Sequence, residues 1–196
     1  MGDLLDESRS VSFDLDGSGR GQKWSWVKSD TAILVWDPER SGEITSGRQL
    51  FGNVTWWIFW ENGYQALAAL DDDRDGWLRG DEMKGLALWF DRNQNGRSDP
   101  GEVVPIEQTE IESIAVRFEG READGSWRAV RGVEMKDGSV VPSWDWLARS
   151  VGGCACEAAG RSITVAARFG VDAGIRSVFS PPLADEAGDA VGGSGG

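Results

Sequence analysis

The chain contains no histidine. That absence removes Ser-His and Cys-His nucleophilic chemistry, His-ligated zinc and any histidine-based pH switch. Cysteine is almost as scarce: Cys154 and Cys156 are the two present, one residue apart, so a disulfide between them would be strained. They read either as free thiols in a loose tail or as a soft-metal or redox pair. Positive charge is thin as well. Four lysines and 16 scattered arginines leave a formal net charge of −13 over 196 residues. No nucleic-acid partner is expected, because a phosphate backbone is held by clustered Lys and Arg. No apolar run is long enough to span a bilayer. The opening MGDLLDESRS lacks the basic-then-apolar layout of a signal peptide, so the chain as written is expected to be soluble with no visible export route.

Carboxylate, by contrast, is crowded. Between Asp71 and Glu102 the sequence DDDRDGWLRGDEMKGLALWFDRNQNGRSDPGE carries two Asp/Asn/Gly clusters. A hard cation such as Ca2+ needs six to eight oxygens, and a twelve-residue loop supplies them in a fixed order. Side-chain oxygens stand at positions 1, 3 and 5, Gly at 6 permits the sharp turn, position 7 offers a carbonyl, and Glu at 12 closes the site. The first cluster gives Asp71, Asp73 and Asp75, then Gly76, the carbonyl of Trp77, and Glu82. The second gives Asp91, Asn93 and Asn95, then Gly96, the carbonyl of Arg97, Asp99 at position 9, and Glu102. One such match arises by chance in about 1 of 400 chains of this composition, and two in tandem are far rarer. The alternative is a pair of inert, solvated acidic turns.

The two sites should differ. The first holds four carboxylates but has Arg79 at position 9, leaving that vertex to water. The second holds three carboxylates and two neutral amides. Two further stretches keep the start of the pattern and lose its end. Asp14, Asp16, Ser18 and Gly19 are followed by Ser25 at position 12; Asp37, Glu39, Ser41, Gly42 and Ile44 are followed by Arg48. These loops are expected to persist for shape rather than for metal, with the Asp37 loop backing the Asp71 loop.

Around the loops, ENGYQALAAL places Tyr64, Leu67 and Leu70 on one side of a short amphipathic helix, with Ala66 alongside. EMKGLALWF places Leu86, Trp89 and Phe90 on a helical face, predicting a second short helix between the intact loops. IESIAVRFEG, SWRAVRGVEM and GSVVPSWDW alternate apolar and polar residues, with a hairpin signal at Asp137-Gly138, and predict a small antiparallel sheet from Ile111 to Trp146. RSITVAARF is a candidate single strand in an otherwise Gly/Ala-rich tail. Eleven tryptophans are many for this length, and TWWIFW at Thr55–Trp60 is their densest cluster. It is either core or an exposed patch for a partner or a sugar, and the accessibility of Trp56, Trp57 and Trp60 separates the two.

The run ILVWDPERSGEITSGRQLFGNVTWWIFWENGYQALAALDDDRDGWLRGDEMKGLALWFDRNQNGRSDPGEV, with the later RGVEMKDGSVVPSWDW, resembles bacterial EF-hand calcium-binding proteins with clustered loops. The resemblance covers roughly residues 11 to 149. It implies calcium at Asp71, Asp73, Asp75 and Glu82 and at Asp91, Asn93, Asn95 and Glu102, and a place outside the cell or at its surface. The expected fold is α+β: EF-hand-like helix–loop–helix units with short helices plus a small antiparallel sheet. Four regions are expected: a degenerate loop region at 1–60, the tandem loops at 61–105, a β region at 106–149, and a flexible tail at 150–196. The expected function is non-catalytic calcium binding that orders the domain. The alternative is a calcium-stabilised carbohydrate-binding or adhesion module using exposed Trp, with Glu61 or Asp145 available as acids and a protein or glycan as partner.

Overall fold

The computed structural model describes residues 4–151 and, as backbone, residues 161–168. In chain order its strands are β1 (Leu5–Phe13), β2 (Gln22–Val27), β3 (Thr31–Trp36), β4 (Trp77–Arg79), β5 (Leu86–Trp89), β6 (Val103–Pro105), β7 (Ile111–Ala115), β8 (Gly120–Arg121), β9 (Trp127–Met135), β10 (Val140–Ala148) and β11 (Arg161–Arg168). One α-helix, α1 (Gly63–Ala68), and four single 3-10 turns complete the described elements. The expected α+β fold of helix–loop–helix units is thereby corrected to a mostly β architecture.

Nine strands form one antiparallel sheet in the order β4-β7-β9-β10-β11-β3-β5-β6, with β8 beside β9. β1 and β2 form a separate hairpin. Alternation along the inner strands sorts the core into two layers, one per face of the sheet. On β3, Ala32 and Leu34 join one cluster while Ile33 and Val35 join the other. On β5, Leu86 and Leu88 likewise separate from Ala87 and Trp89. The first cluster is completed by Tyr64, Ala66 and Leu67 of α1. The second is completed by Val11, Phe13, Trp24, Trp26 and Val27 of the hairpin. Each sheet face is thus covered by a different part of the chain, as burial of both faces requires.

The predicted helix between the acidic loops is absent. Gly80, the first residue of a 3-10 turn at Gly80–Met83, and Gly85, just beyond it, both take positive φ, which confines the helical path to that single turn. LALW then enters the sheet between β3 and β6 with all four residues buried. A short, wholly apolar run suits a buried strand as well as a helix, and here pairing on both edges decides for the strand.

The predicted short helix before the first loop is α1. Asn62 caps it by accepting the Gln65 N–H at 3.0 Å, and Asp145 on β10 accepts the Gly63 N–H at 2.8 Å. Burial raises the Tyr64 phenol above its ordinary range, and its hydroxyl pairs with Ser143 Oγ at 2.9 Å. The sheet predicted from Ile111 to Trp146 is present as β7, β9 and β10, with Gly138 at φ 82 in the β9–β10 turn. Of the candidate strand RSITVAARF, the described residues RSITVAAR form β11, which lies between β10 and β3. Cys154 and Cys156 lie outside the described residues.

Candidate metal centre

All four aspartate-led loops fold through the same turn. The residue at position 4 has positive φ in each: Gly17, Arg40, Arg74 and Gln94. So does the glycine at position 6: Gly19, Gly42, Gly76 and Gly96. The N–H of that glycine donates to the leading aspartate at 2.9 Å for Asp14, 2.8 Å for Asp37, 3.0 Å for Asp71 and 2.8 Å for Asp91. Short polar side chains that accept backbone N–H groups, with glycine free to enter the left-handed region, are sufficient to make this turn. The loops differ at position 12. Glu82 and Glu102 each fold back over their own loop. Glu82 accepts the N–H groups of Asp72 and Arg79, and Glu102 those of Arg92 and Asp99. Arg48 instead reaches across to the Gly17 carbonyl of the first degenerate loop and stacks on Trp57.

In the first intact loop, Asp71, Asp73 and Glu82 converge, with a ligand atom from each within 4.8 Å of the others. Oxygens held at the calcium distance of about 2.3–2.6 Å from one centre are separated by no more than about 5 Å. Asp71 adds a second feature. Its Oδ2 accepts the Gly76 N–H, while Oδ1 is sealed from solvent with no hydrogen-bond donor. Asp75 is drawn away from the group by an ion pair with Arg79. Trp77 opens β4, and its N–H donates to Asp75 Oδ1 at 2.7 Å.

In the second loop, Asp91 has no solvent exposure and Glu102 has 5%. Among the described residues neither forms an ion pair with a lysine or arginine. Burial raises the Asp91 carboxyl above its usual range, opposed by N–H groups of Gly96, Asn95 and the Trp26 indole, and reinforced by the nearby charge of Glu102. Hydrogen bonds from the Asn93 and Asn95 amides lower that of Asp99. Both amides reach the same Asp99 oxygen, at 2.7 and 2.8 Å. Their own oxygens accept backbone N–H groups of Asn95 and Arg97. Buried carboxylates without a cationic partner are costly and are normally neutralised by a proton or by a metal.

The loops find separate neighbours. Leu78 at position 8 of the first loop pairs with Ile114 on β7. The Asp37 loop meets the second intact loop, not the first as its spacing suggested, because Ile44 N–H donates to Ser98 Oγ at 2.8 Å. Two contacts had no local sequence signal: Trp26 donates to Asp91 from 65 residues away, and Ile44 meets Ser98 from 54 residues away. The Arg79–Asp75 pair, four residues apart, was missed although its spacing is local. The TWWIFW segment is split. Trp56 and Trp60 pack on the first core cluster, whereas Trp57 is 51% and Phe59 81% exposed, with Ile58 between them also exposed.

The family model described as the SPM domain matches residues 3–146. The chain is 32% identical over 144 residues to the iron-regulated protein FrpA of Neisseria meningitidis serogroup C. That alignment covers 69% of this chain and 13% of the relative, so the chain spans a small part of that protein's length. These findings correct the resemblance to bacterial EF-hand proteins. The twelve-residue spacing is a local turn chemistry: α1 precedes the first intact loop, but strands and 3-10 turns stand at the other flanks, where that family would place helices. Among the described residues no helix is long and apolar enough to cross a membrane.

Proposed function

This chain belongs to the SPM domain family, and on that premise we propose that it is a non-catalytic module that binds Ca2+ in the loops Asp71–Glu82 and Asp91–Glu102. The observation that carries the reading is the cluster of Asp71, Asp73 and Glu82, in which one Asp71 oxygen is shielded from water and left without a donor. The burial of Asp91 and Glu102 without a cationic side chain supports a second ion. Every ligand atom on offer is oxygen, which suits calcium, magnesium or manganese rather than a soft metal. Two loops able to curl around an ion favour the larger, more flexibly coordinated calcium. Like charges a few ångströms apart repel, so an ion that removes the repulsion also orders the loop, and binding and folding are linked.

The test is calorimetric titration with calcium, and with magnesium and manganese in parallel, of the wild type beside Glu82→Gln and Glu102→Gln. Two calcium sites are expected, each variant weakening mainly one. Variants that match the wild type would defeat the assignment.

A second reading is a calcium-stabilised carbohydrate-binding or adhesion module. It rests on the exposed Trp57-Ile58-Phe59 tip. Asp145 is fully buried and accepts the Gly63 N–H, which leaves Glu61 as the exposed acid of the two. Binding to a glycan panel in calcium and in chelator, compared between wild type and Trp57→Ala, tests this reading.

A further inference from the structure

The two acidic loops are supported unequally. Trp26, on β2, is fully buried, and its indole N–H donates to Asp91 Oδ2 at 2.6 Å. That oxygen also accepts the Gly96 N–H at 2.8 Å, and Oδ1 accepts the Asn95 N–H at 3.0 Å. Among the described residues, Trp26 is thus the one donor to this carboxylate from outside the loop. Trp89 and Trp146 share the same core cluster and are equally buried, yet among the described residues neither indole N–H has an acceptor. Two further contacts join the second loop to the hairpin. Gln94 Nε2 donates to the Val27 carbonyl at 2.9 Å and approaches Asp6 Oδ2 at 3.4 Å. Gly96 lies so close to β1 that a Cβ there would be 2.9 Å from Val11 Cβ. Among the described residues, no hydrogen bond joins Asp71–Glu82 to the hairpin.

We propose that the second loop's cation site is completed by the N-terminal hairpin, with Trp26 as the positioning residue for Asp91, while the first loop binds independently of the hairpin. The inference rests on reading the loops as cation sites. An indole N–H is a donor only, and a hydrogen bond to a charged partner in a dry setting fixes orientation strongly. Trp26 therefore keeps Asp91 turned into the loop. When a cation neutralises that carboxylate, the change in field is felt at the indole. Hairpin docking and filling of the second loop then favour one another, as linkage requires.

The test follows the indole N–H signals of the whole chain by two-dimensional NMR during calcium titration, with calorimetry alongside. Trp26→Phe identifies the Trp26 signal and removes one donor to Asp91. The expected result is about tenfold weaker binding at the second site, within the range for a lost hydrogen bond to a charged group, with the first site unchanged. In the wild type, the Trp26 signal should move with filling of the second site. Glu102→Gln should abolish that movement and Glu82→Gln should not. Wild-type affinities in Trp26→Phe, or equal weakening of both sites, would overturn the inference. If Trp26→Phe does not fold, Gln94→Ala removes the lighter tie and should weaken the second site alone. The wild-type NMR titration then decides, because a Trp26 signal that follows the first site or neither overturns the proposal. A wild type that takes up no calcium would instead defeat the calcium reading itself.

Discussion

The backbone N–H of Ile44 donates to Ser98 Oγ at 2.8 Å, so the eighth residue of the Asp37 loop meets the eighth residue of the Asp91 loop. A loop whose position 12 is Arg48 thus buttresses one that ends in Glu102. Ile44 is buried in the second core cluster. Ile44→Ala is expected to cost about 2–5 kcal/mol, the range for emptying a buried aliphatic site. Ser98→Ala should cost about 1 kcal/mol, since the Ile44 N–H loses its acceptor. Urea denaturation of both variants measures these costs, and both should weaken the calcium site proposed at Asp91–Glu102 more than the one proposed at Asp71–Glu82.

Arg79 and Asp75 form an ion pair between two half-exposed side chains, and Asp75 must leave it to reach an ion in the first loop. Such surface pairs are worth about 0–1 kcal/mol. Arg79→Ala should therefore tighten the first site by up to about fivefold and leave the second unchanged. Calorimetry resolves the two sites.

Gly63 opens α1 where the helix passes against the Phe51 carbonyl. A Cβ at this position would lie 2.2 Å from that oxygen. Gly63→Ala must push the helix off the core and strain the Gly63–Asp145 hydrogen bond, at a cost of about 1–3 kcal/mol. A lower urea midpoint with an unchanged slope is the expected signature.

The Asp137 carboxyl is held below its ordinary value by hydrogen bonds from the Ser139 side chain and backbone. A carboxylate depressed in the folded state contributes stability above its unfolded value, and that stability is lost as pH falls through the folded value. Asp137→Asn should be less stable than the wild type at neutral pH and should lose less stability on acidification below about pH 4. Thermal unfolding of both proteins across that window gives the comparison.

Much of the local structure was legible in the sequence. The Tyr64–Leu67 spacing specifies α1, Asp137-Gly138 specifies the β9–β10 turn, and the Asp-to-Gly spacing specifies the shape of all four loops. These are effects of near neighbours. What could not be read depends on distant partners. LALW became a strand because β3 and β6 flank it, and Asp91 meets Trp26 because the hairpin covers that face of the sheet. The TWWIFW segment divides because Trp56 and Trp57 both take positive φ, which turns Trp56 inward and leaves Trp57 at the surface.

Removing metal should loosen the whole chain. At a free calcium concentration one hundred times Kd, each proposed site would add about 2.7 kcal/mol to stability. Chelator should therefore lower the melting temperature of the wild type, and Glu82→Gln with Glu102→Gln should abolish most of that sensitivity.

The most direct measurement is a crystal structure grown in millimolar calcium. One ion is expected between Asp71, Asp73 and Glu82 and a second between Asp91 and Glu102, each about 2.3–2.6 Å from its oxygens. Clear density for both loops with no ion in either, and with Glu82 and Glu102 turned toward solvent, would contradict it.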